Sequence, residues 1–451
     1  MDTVYAPALH KLRVSRRTAA LSTVAAAGPV LACARAQAPQ PASSQESASL
    51  QPATISYLGR GSTNEEEVYR TLIALFEEKH PSTKVRIEWA GTGGAAQIWE
   101  KLQTMVAGGI PPDTFWVHSY STADLAANEL LLPLAQFFSK DKSFDLAAYY
   151  KAPLEGMSYQ QTVVALPRET SSKVMFYNRN LLERAGLAPF DKEWTWDDWL
   201  AAARRLTSGE GTERVWGTAA PVSAFDVITM IWQNGGEAVD ASRTRSLFDS
   251  REAIETVQWI ADLRFKERVA PTPADYAGSS LNDLFKSARL ATFASNQALA
   301  IDLLRSNVAF PWDVVPVPKR KVKAYGEASS GHGVYKGTKY PEHGWRLVRY
   351  LADEEAARVF ARSGLVIPAF RRVTESDVFP GTQMPPSYNR VWIEVLTSAR
   401  SMPVTRNWLK VISEIERTLA PVWSGELPAV EGCRNAKQAV DQALAEVRGR
   451  A

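Results

Sequence analysis

The chain has 451 residues, of which 45% are hydrophobic and 22% are charged, and this length allows two or more globular domains. Its formal net charge of +3 lies in the first residues, where Lys11, Arg13, Arg16 and Arg17 outweigh Asp2. Because the rest is close to neutral, the sequence lacks the basic footprint of a nucleic-acid-binding protein, and no later segment reaches the run of about eighteen apolar residues that a membrane span requires.

The N-terminal region has the layout of an export signal. Arg16 and Arg17 precede an uncharged, Ala-rich run that ends at Cys33, and this order of basic, apolar and small residues is typical of a cleaved signal peptide. The paired arginines resemble a twin-arginine signal. The Val-Leu-Ala-Cys sequence at 30–33 resembles a lipobox, in which the cysteine receives a diacylglyceryl group. We therefore expect a signal peptide over 1–32 and lipidation of Cys33.

A polar stretch follows the signal. Residues 33–53 are rich in Pro, Ser, Gln and Ala, so they bury too little surface to offset their ordering entropy and are expected to form a flexible tether. Their Ala-Arg-Ala triplet at 34–36 is an alternative cleavage site, which would leave no lipid. If Cys33 carries lipid, Cys433 has no disulfide partner and is expected to be a lone structural thiol.

Strand and helix patterns alternate through the remaining chain. Apolar or alternating runs predict strands at 54–58, 84–89, 114–117, 163–167, 173–178, 290–294 and 312–318. Strands separated by helices at this spacing predict an α/β fold with a mostly parallel, doubly wound sheet. Because ligands of such sheets bind at the carboxyl ends of the strands, residues 57–60 and 116–119 are candidate binding segments.

The predicted helices rest on apolar spacing and on caps. Asn64 is the expected cap of the first helix, which runs to Phe76 with acids in its first turn. Thr195 is the expected N-cap of a later helix, and Asp198 stands at its capping-box position. From Val404 onward the chain is expected to be almost wholly helical. The other predicted helices are 95–107, 226–233, 251–265, 281–287, 341–352 and 354–363.

Seven segments, taken together and in this order, carry a family resemblance. They are FEEKHPSTKV (76–85), AGGIPPDTFW (107–116), ELLLPLAQFF (129–138), ALPRETSSKVMFYNRNLLERAGL (165–187), WTWDDWLAAARRLT (194–207), SGHGVYKGTKYPEHGWRLVRYL (330–351) and WLKVISEIERTLAPVWSGE (408–426). In this combination the chain resembles the extracellular solute-binding proteins of ABC importers, in the branch that includes the maltose-binding type. An export signal agrees with that resemblance.

The resemblance implies two α/β lobes joined by a hinge, with a ligand cleft between them. By analogy, one lobe holds 54–165 and 331–370, and the other holds 166–330 and 371–451. The ligand would draw the lobes together, and the closed form would dock on a membrane permease. We expect a monomeric binding protein that is no enzyme, needs no cofactor or metal, and binds no nucleic acid.

The tryptophan content favours a sugar as the ligand. Trp and Tyr each occur 14 times, and a pyranose face packs on an aromatic ring while its hydroxyls need polar partners. Trp116 lies near a strand end, whereas six other tryptophans open a predicted helix or have helical spacing and are expected to be structural. These six are Trp194, Trp196, Trp199, Trp259, Trp345 and Trp392. The rule that ligands bind at the carboxyl ends of the strands, which we call the crevice rule, adds Tyr57, Gly59 and Arg60 to the candidate ligand-binding residues.

Further candidates depend on the resemblance. Glu169 and Thr170 follow the first lobe crossing implied by it, although an Arg168–Glu169 pair that only holds the hinge is an equal alternative. Asn296 stands where many sugar-binding members have an aromatic residue, and its amide can bond hydroxyl groups. The remaining candidates are Trp232 and Asn234 beside a flexible turn, Gly331 and His332 at the second crossing, and Trp408, which resembles a cleft aromatic.

Other functions stay open at this point. A glycoside hydrolase would need two carboxyl groups flanking a bond, and the sequence has many carboxylates but neither a GxSxG nor an HExxH motif. A binding protein for a polyamine would need acidic walls, and one for a phosphodiester would use arginine and helix N-termini. A sugar-binding protein remains the favoured reading.

Overall fold

The computed structural model describes residues 50–447, apart from 142, 191, 377 and 380–383. The predicted signal peptide, Cys33 and most of the predicted tether lie outside the described residues. The predicted α/β class is confirmed. The strands of the described part are β1 Ala53–Gly59, β2 Thr83–Trp89, β3 Thr114–His118, β4 Ser158–Tyr159, β5 Thr162–Val163, β6 Ala165–Ser171, β7 Val174–Asn178, β8 Thr292–Ser295, β9 Trp312–Pro316, β10 Gly326–Val334, β11 Ile367–Pro368 and β12 Arg400–Ser401.

Helices fill the intervals between these strands. They are α1 Thr63–Lys79, α2 Ala95–Ala107, α3 Ser119–Ala127, α4 Ala135–Phe138, α5 Lys151–Gly156, α6 Arg179–Arg184, α7 Trp196–Leu206, α8 Ala224–Gln233, α9 Arg251–Phe265, α10 Leu281–Lys286, α11 Gln297–Ser306, α12 Pro341–Ala352, α13 Glu354–Ser363, α14 Arg371–Thr374, α15 Tyr388–Thr397, α16 Trp408–Trp423 and α17 Ala429–Ala445. Within the described part, no helix combines the length and hydrophobicity needed to cross a bilayer.

Local sequence explains where the best-defined helices begin. The Thr195 hydroxyl accepts the Asp198 N–H, and the Asp198 carboxylate accepts the Thr195 N–H, so the predicted capping box is confirmed. Helix α1 also begins with a capping box, and its N-cap lies two residues earlier than expected. Its N-cap is Ser62 rather than Asn64, because Glu65 closes a capping box onto Ser62.

The larger sheet has the strand order β11-β6-β10-β3-β1-β2, with β12 beside β10. Strand β1 runs parallel to β2 and β3, but β10 runs antiparallel to both β3 and β6. The prediction of a mostly parallel sheet is therefore wrong. Within this sheet β6 runs in the same direction as β1 and β3, and β10 runs opposite to all three.

The smaller sheet, β8-β7-β9, is antiparallel throughout. Around it, α7, α8, α9, α16 and α17 pack into one apolar core, and we call this half the small-sheet lobe. The half built on the larger sheet, with α1, α2, α3, α12 and α13, is the large-sheet lobe. The predicted boundaries at 165/166 and 330/331 fall inside β6 and β10, which pair with each other; the division of the chain into lobes stays a prediction.

The tryptophans expected to be structural lie in the cores. Three of them have indole N–H partners within the small-sheet lobe: the Pro316 carbonyl for Trp194, the Gln233 amide for Trp196 and the Thr218 hydroxyl for Trp199. Cys433 is buried and forms no disulfide within the part of the chain that the structure describes, and its burial agrees with the expected structural thiol. Members of this group that are at most 6% exposed are Trp194, Trp196, Trp199, Trp345 and Trp392.

Candidate functional site

The carboxyl ends of β1 and β3 bring together an arginine and a tryptophan. The Arg60 guanidinium carbon lies 4.9 Å from the ring centroid of Trp116, a cation–π arrangement. Arg60 Nη2 donates to the Thr92 carbonyl at 3.3 Å, while its Nε is buried without a hydrogen-bond partner. Among the described residues Arg60 has no carboxylate in ion-pair contact. This side chain is therefore a half-buried cation with unused donors.

Trp116 belongs to a series of polar contacts that reaches β6 and β10, which we call the crossing strands because the predicted lobe boundaries fall inside them. Its indole N–H donates to Ser330 Oγ on β10 at 3.1 Å, and Ser330 in turn donates to the Glu169 carboxylate on β6. Arg168 donates to the other oxygen of that carboxylate. Glu169 remains partly exposed. These hydrogen bonds fix Trp116 and Glu169 in one polar surface at the end of the large sheet, which we call the wall.

Behind this wall lies a buried network of titratable groups. Arg168 donates to the Tyr69 hydroxyl at 2.8 Å, and His332 contacts Tyr57 Oη through Nδ1 at 3.1 Å and Tyr69 Oη through Nε2 at 3.5 Å. Burial holds the pKa of His332 well below its usual range, and Arg168 lowers it further. His332 is therefore neutral, and both predicted site residues, Tyr57 and His332, are engaged inside the lobe.

Two predicted glycines are explained by close packing. A Cβ on Gly331 would lie 1.9 Å from the Leu166 carbonyl oxygen, and a Cβ on Gly59 would lie 2.3 Å from the Trp89 ring. Strand β10 thus approaches β6 too closely for a side chain at Gly331. Both glycines lie beside protein atoms, so their role here is packing.

A fully buried acid, Glu327, lies on β10 and contacts β6. The Thr170 hydroxyl donates to Glu327 Oε1 at 3.0 Å, and Thr170 is itself only 2% exposed. Burial raises the pKa of Glu327 to about 8, against the lowering effect of Thr170 and other hydrogen bonds. Near neutral pH this carboxyl is therefore mostly protonated, and the predicted candidate Thr170 serves it as a partner.

Helix α3 carries the wall toward the small-sheet lobe. His118 caps this helix, its Nδ1 accepting the Tyr120 N–H at 3.1 Å, and burial lowers the pKa of His118 to about 4. The Tyr120 ring packs edge-on against His118 with centroids 4.6 Å apart, and it also packs against the core of the small-sheet lobe. Tyr120 therefore spans the gap between the lobes.

The facing side is formed by the start of α8. Lys173 Nζ pairs with Asp226 Oδ2 at 2.7 Å and lies 5.6 Å from the Phe225 ring centroid. The Ser223 hydroxyl, which caps α8, also bonds the Asp226 carboxylate, at 2.6 Å. A hydrophobic ring thus lies beside a compensated ion pair, an arrangement that offers both an apolar surface and hydrogen-bonding groups.

A groove continues between the lobes along α2, α3 and α16, with a volume of about 850 Å³. Its lining includes Trp99 and Asp124 from the large-sheet lobe and Arg406, Asn407 and Lys410 from the small-sheet lobe. Trp408, the first residue of α16, is 1% exposed, and its indole N–H is buried without a partner among the described residues.

The structure places two predicted residues, Trp232 and Asn234, away from this group, and a third, Asn296, directly after β8, which pairs with β7. Trp232 lies at the far end of α8, beneath the Arg400 guanidinium at 4.3 Å, with its N–H bonded to Glu237. Asn234 is buried and donates to the Glu252 carbonyl at 2.9 Å. Asn296 is exposed and caps α11 by accepting the Ala298 N–H. Apolar spacing along a helix identifies its buried face but does not tell which end meets the other lobe.

Sequence reasoning missed Tyr120, Phe225 and Ser330. Tyr120 lies one position beyond the segment that the crevice rule indicated, so a slightly wider window finds it. Phe225 and Ser330 carried no signal, because only strand pairing and lobe contact bring them to the site. Within the described residues, no group of three or more potential metal ligands is present.

Comparison with known proteins agrees with this architecture. Residues 61–358 match the sequence profile described as bacterial extracellular solute-binding protein. An ABC substrate-binding protein from Listeria monocytogenes, solved in complex with cycloalternan, has a TM-score of 0.76 and 24% identity over 88% of this chain and 100% of that chain. Maltose-bound MalE3 of T. maritima has a TM-score of 0.71 and 19% identity over 87% of this chain and 99% of that chain.

A sequence relative extends the comparison. The arabinooligosaccharide-binding protein of Bacillus subtilis is 22% identical over 211 residues, which is 46% of this chain and 47% of that protein. The structural likenesses establish the fold, two α/β lobes with a hinge between them.

Proposed function

The chain belongs to the family of bacterial extracellular solute-binding proteins, and on this premise we propose that it captures a mono- or oligosaccharide between its lobes and delivers it to an ABC permease. The relatives support the sugar: the proteins compared above are described with cycloalternan, maltose or arabino-oligosaccharide. Since the family consists of binding proteins, we expect no turnover of the solute.

One observation carries the proposal. Polar and aromatic side chains from both lobes converge where the lobes meet: Arg60 and Tyr120 on one side, and Phe225 and the Lys173–Asp226 pair on the other. A sugar ring needs an apolar surface for its C–H face and hydrogen-bonding groups for its hydroxyls. Both kinds of group are present, and closing the lobes would bring them onto the same ligand.

We assign the contacting role to the groups with unused donors or exposed surface. These are Arg60, Glu169, Asn296 and Trp408, with Trp116 as the ring that supports Arg60. The other predicted residues support the wall or the lobe core through protein partners. They are Tyr57, Gly59, Thr170, Trp232, Asn234, Gly331 and His332.

A second candidate ligand is a polar anion such as a phosphodiester. Arg60 favours it, because its guanidinium has no carboxylate partner among the described residues and its Nε is unused. A polyamine is disfavoured, since the acids nearest this wall are already paired, Glu169 with Arg168 and Asp226 with Lys173.

The test is a thermal-shift screen of the purified chain against sugars, polyols, phosphodiesters, polyamines and metal ions. A ligand that binds only the native state raises the melting temperature by mass action. We expect the largest shift from a sugar. A shift from a phosphodiester with none from any sugar would replace the favoured ligand with the second candidate.

For localisation, we propose export and anchoring to the membrane through a lipid on Cys33. The lipobox-like sequence at 30–33 and the polar tether after it support the anchor, since the two acyl chains of a diacylglyceryl group hold a protein far more firmly than one chain does. Mass spectrometry of the membrane fraction tests this proposal. An N-terminal peptide that starts at Cys33 with added lipid is expected, whereas an unmodified N-terminus at or beyond Arg35 would refute it.

A further inference from the structure

Helix α16 receives its N-terminal cap from the opposite lobe. Asp124 lies on α3, whose neighbouring residue Leu125 packs in the large-sheet lobe, and Asn407 is the N-cap of α16 in the small-sheet lobe. The Asn407 N–H donates to both carboxylate oxygens of Asp124, at 2.9 and 3.0 Å. This hydrogen bond crosses from one lobe to the other.

The sequence of α16 explains why an outside cap is needed. In α1 and α7, the third helical residue is an acid, Glu65 or Asp198, that accepts the N–H of the N-cap residue. The third residue of α16 is Lys410, which pairs with Glu446 instead. Asn407 has a φ of 63° and makes no side-chain cap. Asp124 thus fills, from the other lobe, the position of the missing capping-box acid.

The surroundings of Asp124 match a contact that forms when the lobes close. The side chain is half-buried, and burial raises its pKa above the usual range, against lowering by the Asn407 N–H and Arg406. Tyr120, one turn earlier on α3, packs against the core of the small-sheet lobe. Separation of the lobes would return both the carboxylate and the Asn407 N–H to water.

We propose that Asp124 sets the ratio of closed to open molecules, and thereby the affinity for the solute, without touching the solute. An interaction made only in the closed state shifts the equilibrium toward that state by its own free energy. Removal of a helix cap corresponds to about a fivefold change in such a ratio. This inference rests on the proposed function in one respect, the opening and closing of the lobes, but it does not depend on the identity of the ligand.

The test measures the distance between the lobes without any ligand. Spin labels are attached at Thr71→Cys on α1 and Gln258→Cys on α9, both exposed and on opposite lobes, in the full chain with Cys33→Ser; Cys433 is buried. Pulsed electron paramagnetic resonance then gives the distance distribution. Asp124→Ala is expected to lower the ratio of closed to open molecules about fivefold, whereas Asp124→Asn, which keeps one acceptor oxygen, should stay within about twofold of wild type.

Asp353→Ala is the matched control. Asp353 caps α13 by accepting the Ala356 N–H at 3.0 Å. Like Asp124, it accepts a backbone N–H at the start of a helix, but both partners lie in one lobe, so its substitution should leave the distance distribution unchanged. The proposal is overturned if Asp124→Ala leaves the distribution as in wild type, or if Asp353→Ala shifts it equally. The distance measurement needs no ligand, so it decides the role of Asp124 even if the protein binds no sugar in the thermal-shift screen. The proposal for Asp124 and the proposal of sugar binding can therefore fail separately.

Discussion

The two lobes bury their polar groups in different ways. In the large-sheet lobe, Arg168, Tyr69 and His332 form a continuous network of titratable side chains, whereas in the small-sheet lobe Trp194, Trp196 and Trp199 each give one indole N–H to a single neutral acceptor. The first arrangement depends on charges that satisfy one another. The second depends on close packing of large apolar side chains. The stability of the two lobes should therefore respond differently to mutation and to pH.

The largest loss of stability is expected from a mutation at Arg168, the centre of the buried network in the large-sheet lobe. Arg168→Ala would leave Glu169 and Tyr69 without their buried partner, and breaking a buried ion pair costs about 3–5 kcal/mol. Denaturant unfolding measures the loss. Arg204→Ala removes a surface pair with Glu267 and should cost at most about 1 kcal/mol. If the two variants lose equal stability, the network is not what holds the large-sheet lobe together.

Steric fit between the crossing strands comes next. Gly331→Ala would force a Cβ toward the Leu166 carbonyl oxygen, and overpacking of this kind costs about 1–3 kcal/mol. Gly94→Ala, where a Cβ would meet no atom within 4 Å, is the control and should cost about 1 kcal/mol or less, as a lost N-cap glycine does. The melting temperatures compare the two. Equal losses would mean that β6 and β10 separate easily at this point.

The fold shows which features a sequence can specify. Helices such as 95–107, 251–265 and 354–363 match their predictions, because apolar spacing and caps are local. The antiparallel course of β10 could not be predicted, since its register depends on strands far away in the chain.

In the candidate site, too, features set by local sequence could be predicted, and features set by long-range contacts could not. Arg60 and Trp116 come directly from the position of strand ends, which the sequence does indicate. The cap that Asp124 provides to Asn407 could not be found from sequence, because the two residues are 283 positions apart. Contacts between lobes leave no local signal in the sequence, so the residues that make them are the hardest to predict.

The contrast between the lobes also predicts a dependence on pH. Glu327 has a native pKa of about 8, against about 4.3 in an unfolded chain, so between these values the native state keeps a proton that the unfolded state has lost. The free energy of unfolding therefore falls as pH rises through this window. Glu327→Gln cannot ionise and should gain stability over wild type at pH 8 but not at pH 4. Denaturant titrations at both values check this, and a parallel pH dependence of the two proteins would contradict it.

The smallest effect on stability is expected in the small-sheet lobe. Trp408→Phe keeps most of the buried ring and removes an indole N–H that has no partner among the described residues, so the free energy of unfolding should change by about 1.5 kcal/mol or less. If that N–H serves the solute, affinity for the best sugar of the thermal-shift screen should fall about fivefold or more. Calorimetric titration separates the two effects, and unchanged affinity would remove Trp408 from the site.

The most direct test compares two similar arginines. Arg60 stacks over Trp116 beside the cleft, and Arg214 stacks over Trp216 within the small-sheet lobe at 4.3 Å. Each also donates to one backbone carbonyl and has a buried Nε without a partner among the described residues. Calorimetric titration of the best sugar from the screen would be repeated with Arg60→Ala and Arg214→Ala. We expect Arg60→Ala to weaken binding about tenfold or more, with wild-type affinity in Arg214→Ala. Equal affinity in both variants would contradict a solute site at the ends of β1 and β3.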